Sequence, residues 1–140
     1  EDPLAESKRY SELLTQYRVD IVCLGIGENG HIAFNDPPVA DFNDPKLVKV
    51  VELETACRQQ QVNEKLFDTL NLVPTHALTV TIPALLKANY MFCMVPAKNK
   101  AEAVYRTLNE EISEKYPATI LRTKEGAILY LDNDSASLLN

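Results

Sequence analysis

Apolar runs of strand length alternate along this chain with longer stretches in which apolar residues return every third or fourth position. Asp2 and Pro3 form an N-cap and first-turn pair for a helix that carries Leu4, Tyr10, Leu13, Leu14 and Tyr17, and this gives way to a strand ending at Leu24. A second strand runs from Val48 to Leu53. Residues 55–70 predict a helix with Val62, Leu66 and Leu70 on one stripe, and Pro74 ends that unit. His76–Val80 reads as a strand, Ile82–Ala88 as a short helix and Tyr90–Val95 as a strongly apolar strand. A longer amphipathic helix follows, with Val104, Leu108 and Ile112 spaced by four, until Pro117 interrupts it. Ala127–Leu131 is the last strand, and Asp134 or Ser135 caps a terminal helical turn. Strand alternating with helix predicts an α/β fold, with a mostly parallel sheet covered on both faces.

The 140 residues, 46% hydrophobic, suffice for one core and give no sign of a second domain, a repeat or a linker. A net charge of −6 argues against general affinity for nucleic acid or an anionic membrane, since both require clustered basic surface. Any anionic ligand must be held by local charges. Cys23, Cys57 and Cys93 show no metal-ligand spacing; two of them sit in strand patterns, as small core residues of a protein in a reducing cytoplasm. No secretory signal is visible, and no apolar stretch approaches the ~20 residues that cross a bilayer.

The most informative segment is Gly25–Pro38, GIGENGHIAFNDPP. It follows the buried strand Ile21–Leu24, so it lies at the carboxyl end of that strand, where open α/β sheets bind ligands. Glycines let a ligand approach the main chain closely, and His31 is the side-chain type most easily poised between acid and base near neutrality. Gly25, Gly27 and Gly30 also spell a dinucleotide fingerprint, with Glu52 or Glu54 as the later acid. That reading fails for want of a helix: residues 35–45 hold Pro37, Pro38 and Pro45 among two asparagines and three aspartates.

These residues resemble the glucosamine-6-phosphate deaminase (isomerase) family. GIGENGHIAFNDPP is similar to its signature loop, and CRQQQVNEKLF (57–67), VPTHALTVTIPALL (73–86), VPAKNKAEAV (95–104) and YPATILRTKEGAILYLD (116–132) follow in the family's order and spacing. HIAFN favours the deaminases over the related 6-phosphogluconolactonases. The resemblance implies a three-layer Rossmann-like fold and conversion of an amino-sugar 6-phosphate, gluco or a close epimer, to fructose 6-phosphate and ammonia, with no metal or organic cofactor. It places on His31 the opening of the sugar ring, a role suited to an imidazole, which titrates near ~6.5. Gly25, Gly27, Gly30 and Asn35 come with the motif as substrate-side positions, and Lys100 matches the family's phosphate-side lysine at a helix start, where N–H groups also favour an anion.

The departures are specific. Asp36 stands where the family usually has glutamate, one methylene longer. Asn29 stands where it usually has aspartate, so the negative partner of the histidine is weaker or supplied by the adjacent Glu28. Arg58 matches the first of two family arginines, while the second falls at Asn63. Family members are about twice this length within the usual domain range, and their first half carries a phosphate loop and the aspartate that moves the proton between C1 and C2. The expectation is therefore a single unit, residues 1–140, forming the carboxyl-terminal portion of a longer enzyme and inactive alone. An uncovered sheet edge in such a portion predicts a homo-oligomer or association with the missing amino-terminal part.

Plainer readings stand beside these. His31 alone is a capped loop histidine, His76 a packing residue opening a strand, and Arg58 and Lys100 are solvated helix charges. Gln59, Gln60 and Gln61 line either a sugar site or a hydrated helix face, and Glu110–Glu114 is a solvated acidic surface. A non-catalytic sugar-phosphate sensor on the same fold, suggested by Asn29, Asn63 and the missing base, is the alternative to the enzyme. A 6-phosphogluconolactonase, which releases no ammonia, is a further one.

Overall fold

In the computed structural model, which describes residues 2–139, two sheets share one body. Strands β1 (Ile21–Leu24), β4 (Tyr90–Val95) and β5 (Ala127–Leu131) form a parallel sheet in the order β1-β4-β5. Strands β2 (Val48–Glu52) and β3 (His76–Val80) pair antiparallel beside it, with Val48 opposite Val80 and Glu52 opposite His76. The fold is α/β, and its main sheet is parallel as the pattern predicts.

Helix α1 (Pro3–Gln16) starts where Asp2 accepts a hydrogen bond from the Leu4 N–H, and Ser7 donates to the Val48 carbonyl to dock it on β2. Helix α4 (Ala101–Asn109) lays Ala103, Val104 and Thr107 against the main core. There Ile26, Ile32, Ile82, Met91, Cys93, Val95 and Leu121 close-pack. A smaller cluster joins Val51, Leu53 and Cys57 under Phe34 and Val39.

Several elements differ from the sequence pattern for identifiable reasons. Helix α2 covers Thr55–Asn63 rather than 55–70. Lys65 takes φ +60°, the Lys65 N–H bonds Val62, and the Leu66 N–H bonds Gln61, which is the Schellman arrangement that closes a helix. Leu66 is left exposed, so the stripe through Val62, Leu66 and Leu70 meets no core. Helix α4 ends before Ile112, which is also exposed; the Arg122 guanidinium binds the Leu108 and Glu110 carbonyls at its end. Pro117 interrupts no helix but opens a buried 3-10 segment, Pro117–Thr123. The cap of the last turn is Asp132, which accepts from the Ser135 N–H, in place of Asp134 or Ser135. The short helix α3 spans Ile82–Leu86. His76 is exposed and shares a hydrogen bond with the Thr75 hydroxyl, so it is not a packing residue.

The largest correction concerns the sheet. Among the described residues only one face is covered. Val22, Leu24, Met91, Cys93 and Val95 point into the core, whereas Ile21, Cys23, Tyr90, Met94, Ile128 and Tyr130 are exposed on the other face, with Phe92 half-buried among them. Cys23 is therefore a surface thiol; Cys57 and Cys93 are interior, and burial pushes both thiols up to about 12.

Alternate residues of β4 test this asymmetry. Met91→Ala should cost about 2–5 kcal/mol, as a buried truncation does. Met94→Ala should stay within about 0.5 kcal/mol, as an exposed one does. Urea titrations of the two variants read the difference directly.

Candidate active site

The loop after β1 is built around the His31 ring. Gly30 adopts φ +87°, and its carbonyl accepts from the Ala118 N–H, anchoring the turn to the buried 3-10 segment. Gly27 lies so close beneath the imidazole that a Cβ there would overlap the ring. Two residues on, Ala33 at φ +50° completes a tight turn in which the Asn35 N–H bonds the Ile32 carbonyl at 3.1 Å. The Asn35 side chain is buried and donates to the Ile32 and Val80 carbonyls at 2.9 and 3.0 Å. It fastens the loop to β3 and does not face the cavity. The irregular chain beyond Asp36 is held by Lys49, which binds Asp44 at 2.7 Å and the Val39 carbonyl at 2.6 Å.

His31 is 9% exposed. Its Nδ1 lies 2.7 Å from Asn29 Oδ1 and 2.9 Å from Asp36 Oδ1. Two acceptors at one nitrogen put the proton on Nδ1 and leave Nε2 with its lone pair. The Asn29 amide is fixed in turn, because its Nδ2 donates to Asp36 at 3.0 Å and to Glu54 at 2.8 Å. Asp36 Oδ2 accepts the Glu54 N–H at 3.3 Å, just ahead of α2. Burial alone would raise the Asp36 carboxyl, but hydrogen bonds from His31 and Asn29, the histidine charge and the Glu54 N–H hold it below the ordinary range.

A cavity of about 300 Å³ opens on this ring, lined by Gly25, Gly27, His31, Gln60, Met94 and Lys100 together with Ile26, Ala33, Val95 and Pro96. Lys100 stands at the start of α4 with its Nζ 3.7 Å from Glu64 Oε1, so an anion entering the cavity meets a cation and a helix N-terminus together. A larger cavity of about 450 Å³ lies between α1 and α3, but it contains neither histidine nor carboxylate.

The structure thus brings together His31, Asp36, Asn29, Gly25, Gly27 and Lys100. Others fall elsewhere. Glu28 is exposed, its carboxylate held by Asn99 and its N–H by Gln60, so the second charge behind the histidine belongs to Glu54, acting through Asn29. The Arg58 guanidinium donates to the Leu70 and Val73 carbonyls at 2.7 and 3.0 Å and does not line the cavity. Asn63 is exposed and bonded to Gln59. Gln60 is the member of the glutamine run that reaches the cavity. In the sequence Glu54 figures only as an acid of the rejected dinucleotide fingerprint, and nothing there links it to the histidine.

A ring nitrogen of His31, an Asp36 oxygen and Cys57 Sγ lie within 4.8 Å of one another, a donor set of metal-ligating type. Burial first, then the Asp36 charge, push the Cys57 thiol up to about 12. A thiol that keeps its proton beside a carboxylate is a hydrogen-bond donor, and the set is satisfied internally.

Comparison with known proteins follows the same lines. Glucosamine-6-phosphate deaminase from Exiguobacterium sp. (strain ATCC BAA-1283 / AT1b) is 40% identical over 136 residues, 97% of this chain and 52% of that protein. The Bacillus cereus (strain B4264) deaminase is 41% identical over 133 residues, 95% of this chain and 49% of the other. The solved structure of a monomeric glucosamine-6-phosphate deaminase superposes with a TM-score of 0.89 at 37% identity, over 99% of this chain and 56% of that one. The chain spans about half the length of the curated relatives it matches. With residues 1–130 also matching the family model, the chain belongs to the glucosamine-6-phosphate isomerase/6-phosphogluconolactonase family.

Proposed function

We propose that this chain is the ring-opening portion of an amino-sugar-phosphate isomerase and deaminase, acting on glucosamine 6-phosphate or a close epimer and yielding fructose 6-phosphate and ammonia. One observation carries the reading: a histidine whose Nδ1 is 2.9 Å from a buried carboxylate lines a cavity that also holds a lysine at a helix start. With Nδ1 turned to Asp36, Nε2 is the nitrogen left for substrate. It takes the proton from the anomeric hydroxyl as the C1–O5 bond breaks, and a proton is returned to the ring oxygen, leaving the open-chain aldehyde. Asp36 steadies the imidazolium in between, and Lys100 receives the phosphoryl group.

The proton transfer between C1 and C2 requires a base that this reading assigns to chain outside these residues, so the deaminase operates with a further polypeptide or as an oligomer. A monomeric relative favours one further stretch of chain over a second copy. We place the enzyme in the cytoplasm, in amino-sugar metabolism, with the deamination counted as a hydrolysis. Among the described residues no helix is long and apolar enough to cross a membrane.

Two outcomes are expected. When residues 2–139 replace the matched half of the Exiguobacterium deaminase, the hybrid should release ammonia from glucosamine 6-phosphate. His31→Ala should then lower kcat by about 10²–10⁴-fold with substrate binding retained. Binding without turnover in either protein would instead mark a sensor, lactone opening without ammonia a lactonase, and full turnover by this chain alone would refute the partition of the site. Asp36 gives a pH signature. Its folded-state pKa lies below the unfolded ~3.9, so its ionised form stabilises the fold above that value, and the contribution is lost as pH falls through the folded pKa. Asp36→Asn should lower stability by about 1–3 kcal/mol at neutral pH and progressively less below pH ~4, as read by thermal unfolding across pH.

A further inference from the structure

Lys100 lines the cavity beside His31, yet its ammonium is already engaged, because Glu64 Oε1 lies 3.7 Å from Nζ. An anion arriving at this lysine meets a carboxylate first. The same Glu64 oxygen accepts from Gln60 Nε2 at 2.7 Å, Gln60 Oε1 accepts the Glu28 N–H at 3.1 Å, and the Glu28 carboxylate accepts from Asn99 at 2.7 Å. Asn99 adjoins Lys100. The contacts therefore close a ring that ties the loop after β1, helix α2 and the start of α4 together beside the cavity.

The two members of the ion pair are held unequally. The Lys100 side chain is 13% exposed and that of Glu64 40%, so the lysine is seated while solvent reaches the carboxylate. Glu64 also stands at the carboxyl end of α2, where the helix dipole disfavours negative charge and the last turn offers no basic residue. The carboxylate is the member that can leave. The neighbouring Asn63 adds no cation to offset it and is bonded to Gln59. A phosphoryl group carries between about 1.5 and 2 negative charges near neutrality, so it and a carboxylate repel one another when both press on one ammonium.

We propose that Glu64 is a specificity-determining residue, which occupies Lys100 in the free protein and is displaced by the phosphoryl group, and so sets how tightly this site holds a phosphorylated sugar. An uncharged hydroxyl at the same place leaves the Lys100–Glu64 pair intact. The inference rests on the sugar-phosphate reading above, but its test is binding without turnover.

Inorganic phosphate is the probe, and its dissociation constant is measured by NMR titration of the full chain at low ionic strength. Glu64→Gln keeps an acceptor for Gln60 and removes the charge. It should bind phosphate about tenfold more tightly than the wild type, with the gain shrinking as salt is added. Glu12→Gln makes the same change of charge at an exposed position of α1 and should leave the constant unchanged, which separates displacement from net charge. Adding Lys100→Met to Glu64→Gln should abolish the gain, since no ammonium is then vacated. Should Glu64→Gln fail to fold, Glu64→Ser carries the same expectation. Equal affinity in the wild type and the Glu64 variant, no phosphate binding by either, or a gain that survives Lys100→Met overturns the proposal. In the hybrid with the Exiguobacterium deaminase, Glu64→Gln should lower KM for glucosamine 6-phosphate by a similar factor. A hybrid that releases no ammonia while the shift in phosphate affinity holds refutes the deaminase reading and leaves the role of Glu64 standing; ammonia release with KM indifferent to Glu64→Gln does the reverse.

Discussion

Asp36 is fully buried and yet held ionised, and the arrangement of the surrounding chain follows from that requirement. An unpaired carboxylate inside a protein would take up a proton or cost several kcal/mol. Here His31, Asn29 and the Glu54 N–H converge on its two oxygens, drawing the loop after β1 against the start of α2. The same convergence orients the imidazole, since Nδ1 is committed to the carboxylate side and the other nitrogen is left for chemistry. Gly27 and Gly30 are consequences of this placement. The first leaves room for the ring, and the second turns the chain through a positive φ so that the ring can return over it.

The neutral Asn29 makes sense in this setting. Its amide accepts from His31 through oxygen and donates to Asp36 and Glu54 through nitrogen. An aspartate at that position would set three carboxylates together with one histidine to balance them. The charge that a family aspartate would contribute therefore sits at Glu54, on the far side of the Asn29 amide, which relays its orientation to the ring. Asp36, with a stem shorter than glutamate, is reached because the His31–Asp36 segment folds back on itself through the turn at Ala33, with Asn35 stapling it to β3.

Local pattern made the strands, α1 and the histidine loop legible, because each is specified by near neighbours: Asp2-Pro3 caps its own helix, and a glycine turn follows its own strand. What escaped depends on distant partners. The stripe Val62, Leu66, Leu70 has helical spacing but no core opposite it, so the chain leaves the helix at Lys65. Arg58 has the charge for a phosphate and is instead consumed by two carbonyls of the following turn. Glu28 and Glu54 are indistinguishable as letters, and only the fold decides which one reaches Asn29. The bare face was invisible for a related reason. Alternation in β4 and apolar richness in β1 and β5 report that both sides of the sheet suit burial, not that both are buried.

That last point links the fold to the chemistry. Strands apolar on both faces belong to the middle layer of a three-layer domain, and this chain supplies one outer layer, from α4 and the Pro117 segment, over Met91, Cys93 and Val95. The strand ends that carry Gly25 and Pro96 line the cavity, and Met94 joins it to the open face of the sheet. On the reading proposed above, a sugar phosphate held only by His31, Gln60 and Lys100 would remain in contact with bulk water, where each of these groups is weakened by screening and by competing hydrogen bonds. Covering Met94 would both remove apolar surface from water and dry the cavity on which the imidazole opens. Packing and the proposed chemistry therefore make the same demand on the same face, and the sheet is where the two meet.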